Sequence, residues 1–201
     1  RGDMAALEAW LRGGGHVDAR TEEGGSGTML MGASIQGNDA MVAALLQRGA
    51  SVNLQDSFGV TALMVASIEN HPAVVRQLLA AGTDPDAANY EGWTSLRKAA
   101  MKGHAAAVRW LLRRGADWRR IDMHGHSARD LAAQWERTEA TAALDAITAT
   151  LRELKARAII EPTPENVTAY IRFQREQLDR ASLFSDVWQR AIWQDPGLDY
   201  T

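Results

Sequence analysis

Gly49-Ala50-Ser51-Val52-Asn53, Gly82-Thr83-Asp84-Pro85-Asp86 and Gly115-Ala116-Asp117-Trp118 follow one another at a spacing of 33 residues. Gly59-Val60-Thr61-Ala62-Leu63, Gly92-Trp93-Thr94-Ser95-Leu96 and Gly125-His126-Ser127-Ala128-Arg129 keep the same spacing. A period of this length marks a solenoid, whose units bury their apolar faces only against one another. Such an array presents a surface; it seldom carries out chemistry.

Each unit reads physically. In Gly59-Val60-Thr61-Ala62-Leu63-Met64-Val65-Ala66, the glycine permits a tight turn and the threonine caps a first helix. Leu63 and Ala66 point into the stack. After a turn at Asn70-His71, Val74, Val75, Leu78 and Leu79 recur at helical spacing, and Gly82 closes the second helix. Thr28-Met29-Leu30-Met31-Gly32-Ala33 with Val42, Leu45, Leu46 and Gly49 copies the plan, as does Thr94 through Ala100 with Val108, Leu111, Leu112 and Gly115. Gly2 through Leu11 reads as a second helix without its partner, so the termini look cut and leave room for a leader or anchor upstream.

These residues resemble the ankyrin-repeat family over about residues 1–150. The resemblance implies an all-α ankyrin-repeat solenoid over 1–138, its first repeat incomplete, followed by a helical extension over 139–201. The sequence departs from the family pattern in three places. The finger at Glu23-Gly24-Gly25-Ser26-Gly27 is longer and glycine-rich. Lys98 stands where the family places an apolar residue, so its head must reach water or a carboxylate. The usual Thr-Pro-Leu-His helix opening appears nowhere in full.

The extension has its own pattern. Leu144, Ile147, Leu151, Leu154 and Ala158 form one apolar stripe. Glu161-Pro162-Thr163-Pro164 ends that helix and starts another, with Thr163 as cap and Pro164 in the first turn. Val167, Tyr170, Ile171, Gln174, Leu178, Ala181, Phe184, Trp188, Ala191 and Ile192 continue to about Gln194. Two helices joined by a short proline-rich turn predict an antiparallel hairpin. Asn166-Val167-x-x-Tyr170-Ile171-Arg172-Phe173-Gln174, Ala181-x-x-Phe184-x-x-x-Trp188 and Pro196-Gly197-Leu198-Asp199-Tyr200 resemble the TraF family of periplasmic assembly proteins of conjugative pili. In that family a similar segment precedes a thioredoxin-like domain, which would begin at about Thr201.

Composition excludes several functions. A net charge of −3 over 201 residues supplies no global field for nucleic acid or an acidic membrane. The chain has no cysteine, which removes disulfides, thiol catalysis and Cys-containing zinc sites. No apolar run approaches the roughly 20 residues that span a bilayer. No Ser/His/Asp elbow is present, and Gly24–Gly27 lacks the Lys-Ser/Thr of a phosphate loop. The reading is a non-enzyme with no cofactor and no metal. His71 and His104 occupy equivalent turns and read as backbone-bonding residues, while His124 and His126 alone make a poor chelate. Met29, Met31, Met41 and Met64 read as core filler.

Two surfaces stand out. Phe58, Tyr90, Trp93 and Met123 lie at finger tips, and Met101 and Trp135 end first helices. On the resemblance these line the concave side, where partners dock, and aromatic groups there are typical hot spots. Arg109, Arg113, Arg114, Arg119 and Arg120 form a basic cluster, of which Arg113, Arg114, Arg119 and Arg120 are the expected secondary docking residues. The tail aromatics Phe173, Phe184, Trp188, Trp193 and Tyr200 require cover; most pack within the hairpin, leaving Trp193 and Tyr200 for docking. The expected partner is protein, with a multi-subunit bacterial envelope complex as candidate, and neither nucleic acid nor direct membrane insertion. The TraF resemblance implies a periplasmic scaffold of a conjugative type IV secretion apparatus. The alternatives are a fragment of a thioredoxin-like chaperone or thiol–disulfide protein and a cytoplasmic ankyrin adaptor or effector.

Overall fold

The computed structural model describes residues 4–20, 26–122 and 124–178, with all side chains among them except Leu151 and 174–178. Helix α1 (Met4–Arg12) precedes the pairs α2 (Met29–Ile35) with α3 (Asp39–Gln47), α4 (Ala62–Ile68) with α5 (Pro72–Ala80), and α6 (Ser95–Lys102) with α7 (Ala105–Arg113). Helices α8 (Ala128–Gln134), α9 (Thr138–Ile160) and α10 (Pro164–Leu178) complete the described chain. First helices stack on first helices and second on second, while each pair packs internally. The protein is an all-α solenoid.

A side-chain hydroxyl caps each of these four first helices. The hydroxyls of Thr28, Thr61, Thr94 and Ser127 accept the third residue's N–H at 3.3, 3.3, 3.4 and 3.3 Å. An N-cap of this kind satisfies a donor the helix cannot. Leu30, Leu63 and Leu96 are then buried in one continuous core with Val74, Val75, Leu78, Val108 and Leu111. Met31 and Met64 are buried, and Met29 and Met41 lie against the core, as filler should.

The last repeat breaks the rule where the stack stops. Arg129 occupies the slot of Leu96, stays exposed, and pairs through its guanidinium with Asp145 on α9. A polar outer face is what a terminal repeat needs, and among the described helices no further first helix stacks on α8. Helix α9 is long because it is both the second helix of this repeat and the first arm of the hairpin. Its early residues Ala140 and Leu144 join the array core. Near its far end, Ala158 is buried, as is Tyr170 on α10. Thr163 caps α10 through Asn166 N–H at 3.2 Å, and Pro164 is its first residue. Leu154 and Phe173 are half-buried; Phe184, Trp188, Trp193 and Tyr200 lie outside the described residues.

Polar contacts join neighbouring repeats. The imidazole Nε2 of His71 lies 3.0 Å from the Ile35 carbonyl, and that of His104 lies 2.9 Å from the Ile68 carbonyl. Arg137 takes the same place in the last repeat, donating to the Met101 carbonyl at 3.2 Å. The histidines therefore hold one turn to the next.

Candidate partner-docking face

In three described fingers one side chain organises the tip. Asp56 accepts the N–H groups of Phe58 and Val60 at 2.8 and 2.9 Å. Asn89 accepts those of Glu91 and Trp93 at 3.2 and 2.8 Å, and Asp122 those of His124 and His126, both at 2.8 Å. These are Asx-type turns, which fix the backbone from a side chain. Successive fingers also touch. Tyr90 N–H donates to the Phe58 carbonyl at 3.2 Å. Gly59 has φ +78°, and a Cβ there would stand 2.8 Å from the Tyr90 nitrogen, so only glycine lets the fingers close.

On this scaffold Phe58 and Tyr90 are 62% and 75% exposed. Trp93 differs: it is half-buried, with the Arg97 guanidinium 4.6 Å and the Lys98 ammonium 4.4 Å from its ring centroid. Met101 is half-buried in the last turn of α6, and Trp135 caps α8 at 53% exposure. Met123 lies outside the described residues. Ile35 (50% exposed) and Ile68 (half-buried) belong to the same row and were missed, although both precede Met101 at the repeat spacing. Ile121, beside the last finger, is also exposed.

The charges on this face are uneven. Arg97 is 3% exposed, ion-paired to Asp122 at 2.9 Å and bonded to the Gly92 carbonyl at 2.9 Å, while its Nε has no partner. Burial pushes the Arg97 guanidinium below its ordinary value, and Asp122 acts against that. Asp122 is held below the usual carboxylate value, first by the His126 N–H and then, among other groups, by His124 and Arg97. Lys98 is half-buried and lowered by burial, with Glu91 opposing. Its head found an aromatic ring in place of an ion pair.

The basic cluster divides. Arg119 pairs with Asp117 at 3.1 Å, and Arg120 donates to the Asp86 carbonyl at 2.6 Å. Arg109, Arg113 and Arg114 are exposed on and just after α7, with Arg113 lying 5.6 Å from the Trp110 ring. The rings of His124 and His126 are 6.2 Å apart, and among the described residues no three His, Cys, Asp or Glu groups converge on a metal position. No described helix is long and apolar enough to cross a membrane.

Helix pairs stacked behind rigid, aromatic-tipped fingers define a repeat-built binding module. The chain belongs to the ankyrin-repeat family: residues 1–89, 30–122 and 69–146 each match the family model described as ankyrin repeats (3 copies). Residues 123–201 match the TraF model, described as F plasmid transfer operon protein. The two matches overlap over 123–146, which holds α8 and the start of α9. No curated protein matches the chain. The array is thus a protein–protein interaction unit of a typically non-enzymatic kind, and the C-terminal region links the chain to conjugative transfer.

Proposed function

We propose that the protein is a non-enzymatic scaffold that assembles part of a conjugative pilus or type IV secretion apparatus in the bacterial envelope, on the periplasmic side. The array grips one protein through Phe58, Tyr90, Trp93, Met101, Met123 and Trp135. The extension over 139–201 docks on another through Trp193 and Tyr200, with Arg113, Arg114, Arg119 and Arg120 as a secondary contact.

The observation that carries this reading is the exposure of Phe58 and Tyr90 on tips held by Asp56 and Asn89. Large apolar rings fixed in water lose little entropy when a partner covers them. The TraF match supports the conjugative setting, because it continues from the last repeat into the tail.

The test is genetic and biochemical together. Deleting the gene in a conjugating host lowers transfer, and the wild-type chain restores it while the Phe58→Ala/Tyr90→Ala double variant does not. The folded double variant also fails to pull down the apparatus proteins that the wild type retains. Full rescue by that variant removes the docking face; unaltered transfer in the deletion strain removes the conjugative role.

A further inference from the structure

On the face described above, Lys98 is half-buried and has no ion pair among the described residues. It projects from α6 onto the Trp93 ring at 4.4 Å. Glu91 is near enough to be felt electrostatically but makes no bridge. Arg97, its neighbour in sequence, is by contrast ion-paired to Asp122. Val65 holds the equivalent position one repeat earlier and Leu131 one repeat later. The fold therefore accepts an apolar side chain there and does not need the ammonium.

A half-buried ammonium has lost water and gained only a π face, so it has unspent capacity for an anion. Met101 lies half-buried one turn along the helix, next to exposed Lys102, and exposed Tyr90 stands at the finger tip of the same repeat. We propose that Lys98 anchors a carboxylate of an acidic partner segment, with the apolar residue beside that carboxylate seated on Tyr90 and Met101. This rests on the reading of the face as a docking surface and names the chemistry of its occupant. Exposed Glu69 and Glu91 on the same face disfavour a polyphosphate, whose charges are continuous, over a peptide carrying one or two carboxylates.

The experiment pans a displayed library of random linear peptides on the purified full chain, then titrates selected peptides against variants. The expected result is peptides that need Tyr90, carry Asp or Glu next to an apolar residue, and weaken about tenfold with Lys98→Met. Lys98→Arg retains them, and added salt weakens them. A melt of Lys98→Met at or above wild type checks that folding is intact. Tyr90-dependent peptides without an acid, or indifferent to Lys98→Met, overturn the carboxylate anchor and leave the docking face standing. Selection of no Tyr90-dependent peptide overturns both.

Discussion

Arg97 and Asp122 join two repeats through an ion pair of 2.9 Å between side chains only 3% and 12% exposed. One repeat earlier, Met64 and Asn89 occupy the same two positions. Asn89 caps its finger as Asp122 does, and Met64 is 1% exposed. The same architecture thus runs with a charged and an apolar version of one contact. Breaking a buried pair costs more than replacing it, because the survivor keeps its desolvated charge.

The consequence is a non-additive mutant cycle. Asp122→Asn leaves the finger cap but strands Arg97, and lowers the melting temperature by about 5 °C. Arg97→Met costs less, because the Asp122 carboxylate keeps the N–H groups of His124 and His126. The double variant Arg97→Met/Asp122→Asn recreates the preceding repeat's pair and recovers most of the loss. Thermal melts of the three variants measure this, and simple addition of the single effects would contradict it.

Asp86 yields a pH prediction of opposite sign to the usual carboxylate. It accepts the Asp117 N–H at 2.8 Å, yet burial first, and the charges of Asp117 and Asp84 next, raise its carboxyl above the ordinary 3.8. A raised carboxyl stabilises the fold below its unfolded value, and that contribution disappears as pH rises through the folded value. Asn53, one repeat earlier, accepts the corresponding Asp84 N–H at 2.9 Å without a charge. Asp86→Asn therefore gains about 1–3 °C at neutral pH and nothing at pH ~3. Melts across that range decide it; equal gains at both ends would refute the electrostatic origin.

What was legible followed from local chemistry. The caps at Thr28, Thr61, Thr94 and Ser127, the apolar faces and the Pro162–Pro164 break all act within a few residues. Arg97 was not legible as a buried group, since its partner Asp122 lies in the next finger and Lys98 beside it looked the stranger residue. Periodicity also placed Tyr90 and Trp93 at one tip without separating them. Only the approach of two cations to the Trp93 ring makes one aromatic part of the fold and leaves the other in water.

That division separates the two changes by what they disturb. Removing the Trp93 ring uncovers Arg97 and forfeits two cation–π contacts, so Trp93→Ala costs about 1–3 kcal/mol. Tyr90 is 75% exposed, and Tyr90→Ala costs less than about 0.5 kcal/mol, as surface changes do. Urea denaturation followed by helical signal compares them. A Trp93→Ala variant as stable as Tyr90→Ala would show that the ring covers nothing.

The turn between helices gives the last prediction. Gly37, Asn70, Gly103 and Glu136 occupy equivalent positions, all with left-handed backbones at φ 65°, 59°, 83° and 55°. Glycine adopts this conformation freely, asparagine tolerates it, and glutamate is strained by about 1 kcal/mol. Glu136 is exposed, and its backbone N–H donates to the Ala133 carbonyl at 3.0 Å, a bond that any residue except proline keeps. Glu136→Gly therefore relieves strain without removing a contact, less the entropy glycine adds to the unfolded chain. The net gain is up to about 0.5 kcal/mol, or roughly 1–2 °C in melting temperature. Because Arg137 follows directly and staples this turn to Met101, Glu136→Gly also slows amide exchange in α8 and the start of α9. A lower melting temperature, or faster exchange there, would mean the strain is not stored at this residue.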